Sequence, residues 1–157
     1  MKFVCDRMLK RLAIWLRLSG YDTLCDESFQ TREKEDTFLA KNFPDRILLT
    51  RDKELYRMRI AKGYPARLIK SSKVWEQMKE IKDLVNFKPK AERCTLCNSQ
   101  LRKLKKAEAE KIVKELGLND LLNKELWYCD KCKKLYWVGY HWKNMLEFLK
   151  KHGLVEE

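Results

Sequence analysis

Two aspartates stand where a predicted strand is followed at once by a predicted helix. Asp6 follows the short apolar run KFVC, and Asp52 follows RILLT. Ligands of open parallel α/β sheets bind beyond the carboxyl ends of the strands, so the two carboxylates would meet at one edge if their strands are neighbours. Clustered carboxylates suit hard cations such as Mg²⁺ or Mn²⁺, which activate water and stabilise the departing oxygen of a phosphodiester. The pair therefore predicts a metal site for phosphodiester hydrolysis.

A third acidic ligand is expected from the start of the second predicted helix. The segment REKED offers Glu33, Glu35 and Asp36, of which we favour Asp36, and Asp26 is an outer candidate just beyond the second strand. Each of these acids, like the two strand-end aspartates, also has a simpler interpretation. Aspartate often caps a helix, and acidic side chains in a first turn complement the helix dipole. The sequence leaves both interpretations open.

Basic residues flank the strand-end aspartates. Arg7, Lys10 and Arg11 belong to the helix after the first strand, and Arg51 directly follows the third. Their side chains are candidates for binding substrate phosphates. A solvated helix face is the simpler explanation for any one of them.

Four of the six cysteines form two CxxC pairs, Cys94/Cys97 and Cys129/Cys132. Two such knuckles supply the four thiolates of a tetrahedral structural Zn²⁺ site. Paired cysteines in a cytosolic chain bind metal more often than they form disulfides. A redox CxxC would stand beside a strand-to-helix unit, and neither pair does. We therefore predict structural zinc, with a redox or an iron centre as alternatives.

Aromatic residues gather around the second cysteine pair. We assign Trp127 and Trp137 to the core of this small region, whereas Tyr140, His141 and Trp142 are candidates for stacking on unpaired bases. Aromatic rings mixed with lysines are typical of surfaces that bind single-stranded nucleic acid.

The elements that position these residues alternate through the first half of the chain, which predicts a parallel sheet with helices on both faces. The short apolar runs fit strands buried on both sides. Four strands are predicted: KFVC, DTLC, RILLT and ARLIK. Four helices are predicted: 7–19, stopped by Gly20; from a Thr31 cap to Phe43; 53–62, stopped by Gly63; and from a Ser72 cap to about Val85.

The composition changes after residue 85, where 86–93 (NFKPKAER) is interpreted as a linker. We predict two domains, an α/β domain over residues 1–88 and a zinc-ribbon domain over residues 89–157. The second contains a helical insertion, AEAEKIVKELG, and a closing amphipathic helix, HWKNMLEFLKKHG.

The formal net charge is +12, which favours a polyanionic partner, nucleic acid above all. A lysine- and glutamate-rich solvated surface is the alternative explanation. No apolar run is long enough to span a membrane, and the first residues lack the apolar core of a signal peptide. We therefore expect no membrane association and a cytoplasmic location.

Several motifs in this order resemble the Mut-seven C-terminal RNase family. They are DRML, RLA, WLRLSGYDT and LLTRD in the first half, and CTLC, YCDKC and YWVGYHWKNM in the second. The resemblance covers nearly the whole chain. The combination of motifs is specific to the family, whereas the TRD motif alone would be weak evidence. The resemblance implies a PIN-like nuclease domain fused to a zinc ribbon and metal-dependent cleavage of RNA.

In this resemblance, Asp6 and Asp52 match metal-binding aspartates of PIN-type sites. The middle acidic position falls on Glu33, Glu35 or Asp36. Many PIN domains have a fourth acidic residue, but Ser71 and Ser72 follow ARLIK here, so the number of catalytic metals, one or two, stays open.

Two functions from different classes follow from these observations. The first is a ribonuclease that uses Mg²⁺ or Mn²⁺ at the acidic edge. The second is a non-catalytic RNA-binding or ribosome-associated adaptor that keeps the basic charge and the ribbon but binds no catalytic metal. A toxin-like nuclease with a protein antidote is a third, weaker reading.

Overall fold

A computed structural model of the chain describes residues 1–25 and 35–155, apart from the side chains of Glu35 and Tyr140. The predicted cap Thr31 and the candidate acids Asp26 and Glu33 lie outside the described residues. The strands are β1 (Lys2–Cys5), β2 (Asp22–Leu24), β3 (Ile47–Thr50), β4 (Ala66–Leu68), β5 (Arg102–Lys103), β6 (Leu126–Cys129) and β7 (Lys134–Trp137). The helices are α1 (Lys10–Leu18), α2 (Glu35–Lys41), α3 (Lys53–Ala61), α4 (Val74–Glu80), α5 (Lys106–Leu116) and α6 (Tyr140–Lys151).

The first four strands form one sheet in the order β2-β1-β3-β4, and every pair is parallel. Strands β1 and β3 are therefore neighbours, with Cys5 opposite Leu49. This register brings Asp6 and Thr50, the next residues of the two strands, to the same edge. The predicted α/β class and the parallel four-stranded sheet are confirmed.

Alternate side chains of the strands enter two hydrophobic clusters, one on each face of the sheet. Phe3 and Leu49 pack with α1 and α4, while Val4 and Leu48 pack with α2 and α3. The apolar runs KFVC and RILLT thus form strands that are covered on both sides, as a parallel sheet requires.

Three helix ends differ from the sequence prediction. Helix α4 has Lys73 at its N-cap position with no capping side chain, so the predicted cap at Ser72 is wrong. This helix ends at Glu80 rather than near Val85, and the backbone continues in turns that carry Ile81 into the core. Helix α2 ends at Lys41 because Phe43 adopts a positive φ of 58°.

The second half contains a three-stranded antiparallel sheet, β5-β6-β7, with α5 packed beside it. Helix α6 turns away from this sheet: Leu149 enters the core of the first sheet, and the ring of Phe148 stacks on Trp15 with centroids 5.2 Å apart. Phe87, from the predicted linker, is buried in the same core. Among the described helices, none has the length and apolar composition that a membrane crossing requires.

Buried polar side chains join the first cysteine knuckle to the edge strand β2. The guanidinium of Arg17 donates to the carbonyls of Thr23, at 2.9 Å, and Thr95, at 3.0 Å. Asn98 accepts from the backbone N–H of Thr23 at 2.9 Å and donates to the carboxylate of Asp22 at 2.7 Å. These bonds hold the knuckle against the parallel sheet.

Candidate active site and cysteine centre

Asp6 is buried at the carboxyl edge of β1, where three donors hold its carboxylate. Its Oδ1 accepts from the backbone N–H of Met8 at 2.9 Å, which makes it the cap of a 3₁₀ turn over Arg7–Leu9. Its Oδ2 accepts from the hydroxyl of Thr50 and from the backbone N–H of Arg51, the latter at 3.2 Å. These three hydrogen bonds fix the position of the Asp6 carboxylate at the edge of the sheet.

Asp52 caps helix α3 with one carboxylate oxygen. Oδ1 accepts from the backbone N–H groups of Glu54, at 2.9 Å, and Leu55, at 3.2 Å. The backbone N–H of Asp52 donates to the hydroxyl oxygen of Thr50 at 3.0 Å. Thr50 therefore bridges the two aspartates, since its hydroxyl also donates to Asp6. The cap interpretation is correct for both aspartates, and the cap bonds of Asp52 involve Oδ1 alone.

Asp36, in the first turn of α2, extends this group of carboxylates. Partial burial, followed by the charge of Asp52 and a hydrogen bond with it, raises the pKa of Asp36. The charges of Asp6 and Glu54 act in the same direction. Asp36 thus lies beside Asp52, and its role as the third acid stays a prediction. Glu33 and the side chain of Glu35 lie outside the described residues.

The acidic edge has the donor chemistry of a site for a hard cation. Neighbouring carboxylates raise one another's pKa by charge repulsion, and a bound cation would reduce that repulsion. In the described part of the chain, however, no three of these carboxylates offer one oxygen each with all three oxygens within 4.8 Å of one another. Mg²⁺ does not require a closed set, because it usually keeps several waters and binds through one or two carboxylates together with substrate phosphates.

The four predicted basic contacts lie at or near the same edge. Arg7, Lys10 and Arg11 are exposed in the turns that follow β1, and Arg51 is half-buried at the end of β3. The pKa of Asp36 is nevertheless raised, by partial burial first and then by its acidic neighbours.

The two other predicted substrate contacts lie elsewhere. His141 and Trp142, at the start of α6, line a cavity of about 260 Å³ together with Ile14 and Leu18 of α1. Helix α1 begins beside the acidic edge and runs back along the sheet, so this cavity lies toward the opposite edge. Any RNA contact there is remote from the carboxylates.

The four paired cysteines converge in the ribbon, where their Sγ atoms all lie within 4.8 Å of one another. The Sγ atoms of Cys97 and Cys129 are 3.5 Å apart, much farther than the roughly 2 Å of a disulfide, and all four cysteines are free. The convergence fits the tetrahedral S₄ ligand set of zinc. This cluster could therefore form a zinc site, as the spacing predicts.

The thiols of this cluster have strongly perturbed acidities. Burial, followed by hydrogen bonds with Cys97 and Cys94, raises the pKa of Cys132 to about 12. For Cys97, hydrogen bonds led by Ser99 outweigh the effect of burial and lower the pKa to about 6. One thiolate thus forms readily, but four together require a cation, because metal binding is what deprotonates such thiols.

Thr50 and Glu54 are two residues of the acidic edge that sequence reasoning did not single out. Both lie within the motif TRDKEL, and their positions beside Asp52 are the signal that was available. Their roles depend on contacts with Asp6 and Asp36, which are distant in the sequence.

Comparison with known proteins identifies one family. The model of the Mut7-C RNAse domain matches residues 1–149, almost the entire chain. No curated protein and no solved structure matches the chain. The match spans both the acidic edge and the cysteine cluster, so the chain belongs to the Mut7-C RNAse domain family.

Proposed function

We propose that this protein is a metal-dependent ribonuclease that hydrolyses RNA phosphodiester bonds at the carboxyl edge of its parallel sheet. The observation that carries the proposal is the group formed by Asp6, Asp36 and Asp52 in a chain of the Mut7-C RNAse domain family. The net charge of +12 suits a polyanionic substrate.

In this proposal Asp6, Asp36 and Asp52 hold Mg²⁺ or Mn²⁺ at the edge. The bound cation would supply an activated water and stabilise the departing oxygen. Thr50 positions Asp6 through its hydroxyl and Asp52 through its backbone. The cap bonds keep Asp52 Oδ1 in place and do not use Oδ2.

The remaining residues bind RNA or stabilise the ribbon. Arg7, Lys10, Arg11 and Arg51 contact phosphates near the acidic edge, while His141 and Trp142 stack on bases farther along the strand. Zn²⁺ bound by the four paired cysteines is structural, because a closed set of four thiolates leaves no open position for substrate.

The experiment compares the wild type with Asp6→Asn and Asp52→Asn on single-stranded and structured RNA in Mn²⁺. We expect the wild type to cut RNA and each variant to lose more than about 100-fold in rate. Mutating a residue that only hydrogen-bonds to a metal ligand already changes activity about 10–100-fold, so losing a ligand should cost more. Asp120→Asn, which removes an exposed carboxylate in the ribbon, is the matched control and should retain full activity. Full activity in the Asp6→Asn/Asp52→Asn double variant would contradict the proposal.

The adaptor hypothesis predicts a different metal content. An adaptor would hold about one zinc per chain and bind no further metal at millimolar Mn²⁺. Isothermal titration of the zinc-loaded protein with Mn²⁺ separates the two, and the raised pKa of Asp36 favours a second cation site.

A further inference from the structure

We propose that Arg51, Lys53 and Lys70 form a subsite for a phosphate of the RNA other than the one that is cut. The three side chains, with Leu68 and Ile69, line a cavity of about 490 Å³. The inference rests on the proposed ribonuclease function and adds to it a second anchoring point for the substrate.

The parallel pairing of β3 and β4 builds this cavity. Thr50 lies opposite Leu68, and the backbone N–H of Ile69 donates to the carbonyl of Thr50 at 2.7 Å. Lys70, two residues beyond the last pair, therefore reaches the same edge as Arg51. Lys53 begins helix α3 on the other side of Asp52.

Arg51 has the hydrogen-bonding capacity that a phosphate would use. Its Nε is buried and has no hydrogen-bond partner among the described residues. Buried polar groups in folded proteins nearly always have a hydrogen-bond partner, so this unpaired donor indicates that a ligand or water supplies one. The planar guanidinium matches two oxygens of a phosphate, and its charge strengthens both bonds.

The charges around the cavity favour an anion. In the part of the chain that the structure describes, no carboxylate forms an ion pair with Arg51, Lys53 or Lys70. The nearby carboxylate of Glu80 instead accepts the backbone N–H groups of Lys70 and Ser71, both at 2.9 Å. Burial disfavours the charged form of Glu80, but these bonds, with a smaller contribution from the charge of Lys70, lower its pKa. The exposed side chains of Lys53 and Lys70 form no ion pair among the described residues, so both can contact a ligand.

The carboxyl edge is divided by charge, with Asp52 at the boundary. Asp6 follows β1 and Asp52 follows β3, whereas Lys70 lies beyond β4, the neighbour of β3 on the side away from β1. A phosphate held by the acidic side through its metal therefore has a neighbouring phosphate within reach of the cations. RNA of at least two phosphates would occupy both positions, and a mononucleotide would occupy one.

The test uses RNAs that each carry one uncharged methylphosphonate linkage, moved stepwise past the cut position. For wild type we expect a methylphosphonate at one position next to the cut to lower kcat/KM about 10–100-fold, because the uncharged linkage loses its hydrogen bonds to charged groups. Lys53→Ala/Lys70→Ala should lose a similar factor on natural RNA and nothing further on that methylphosphonate. Lys111→Ala/Lys114→Ala, two exposed lysines of α5, is the matched control and should respond like wild type.

A terminal phosphate could supply the same chemistry as an internal linkage, so a second arm compares 5′-phosphorylated with 5′-hydroxyl RNA. A preference that disappears in Lys53→Ala/Lys70→Ala assigns the subsite to the terminal group, and loss at an internal methylphosphonate assigns it to the strand. Either result supports a phosphate subsite. The proposal would be overturned if the methylphosphonate lowered kcat/KM by the same factor in Lys53→Ala/Lys70→Ala as in wild type. It would also be overturned if neither the methylphosphonate nor the 5′-phosphate changed the rate.

Failure of the ribonuclease proposal is read separately. If no RNA is cut, fluorescence anisotropy without divalent metal measures binding of the same RNAs to the same variants. A methylphosphonate that weakens binding to wild type but not to Lys53→Ala/Lys70→Ala still supports the subsite. Equal weakening in both proteins counts against it.

Discussion

The acidic edge and the cysteine centre both collect groups that become anions, but the fold supports them differently. The carboxylates of Asp6 and Asp52 together accept five hydrogen bonds from the backbone and Thr50. The thiol of Cys97, by contrast, lies against another thiol, that of Cys129, at 3.5 Å. Hydrogen bonds from the protein therefore position the carboxylates of the acidic edge, whereas the thiols of the ribbon converge on one another and could hold a metal ion.

The largest expected effect tests whether the ribbon requires that metal ion. Cys132→Ser should abolish zinc binding and unfold the ribbon, because structural zinc contributes about 10–16 kcal/mol in zinc-finger peptides. Hydrogen exchange should show lost protection in β6 and β7 while β1 and β3 stay protected. Cys5→Ala, a buried cysteine outside the cluster, should keep the zinc content of wild type. Retained protection throughout the ribbon of Cys132→Ser would show that the difference between the two regions is absent.

The second prediction addresses the junction between the regions. Arg17→Met should lower the free energy of unfolding by about 2–4 kcal/mol, because the buried carbonyls of Thr23 and Thr95 lose their donor. Urea unfolding measures the change. Arg57→Met, at an exposed arginine of α3, should change stability by less than about 0.5 kcal/mol. Equal effects would mean that the Arg17 contacts do not join the regions.

The third prediction concerns the positioning of the carboxylates at the acidic edge. Thr50→Val removes the hydroxyl that bridges Asp6 and the backbone of Asp52, and should slow RNA cleavage about 10–100-fold. Thr50→Ser keeps the hydroxyl and should restore most of the rate. The ratio of the two variants under single-turnover conditions isolates the hydroxyl. Equal cleavage rates in Thr50→Val and Thr50→Ser would mean that the hydroxyl is not needed to position Asp6 and Asp52.

The smallest effect concerns pH and the junction. Burial alone would raise the pKa of Asp22, but hydrogen bonds from Arg46 and Asn98 outweigh it and lower the pKa below the usual 3.8. Because the folded-state pKa is lowered, the carboxylate stabilises the protein above the unfolded value and loses this contribution as the pH falls through the folded one. Asp22→Asn should cost about 1–2 kcal/mol at pH 7 and progressively less below about pH 4. A cost independent of pH would contradict the ion-pair explanation.

Local sequence patterns predicted much of the fold because they depend on neighbours along the chain. The runs KFVC and RILLT form β1 and β3, and Gly20 and Gly117 adopt positive φ just past α1 and α5. Thr31 was a cap prediction outside the described residues, and Ser72 failed as a cap. Capping depends on one side-chain rotamer and the exact first turn, so composition predicts it less well than periodicity does.

The sequence by itself determined the alternation of strands and helices, the aspartates at two strand ends and the two cysteine pairs. The tertiary structure decided that β1 and β3 are neighbours, that Asp36 lies beside Asp52, and that Arg51 holds an unpaired buried donor. Periodicity and spacing are properties of adjacent residues. Strand order and the surroundings of a side chain depend on which distant segments bury their apolar faces together, and only the packed core specifies that choice.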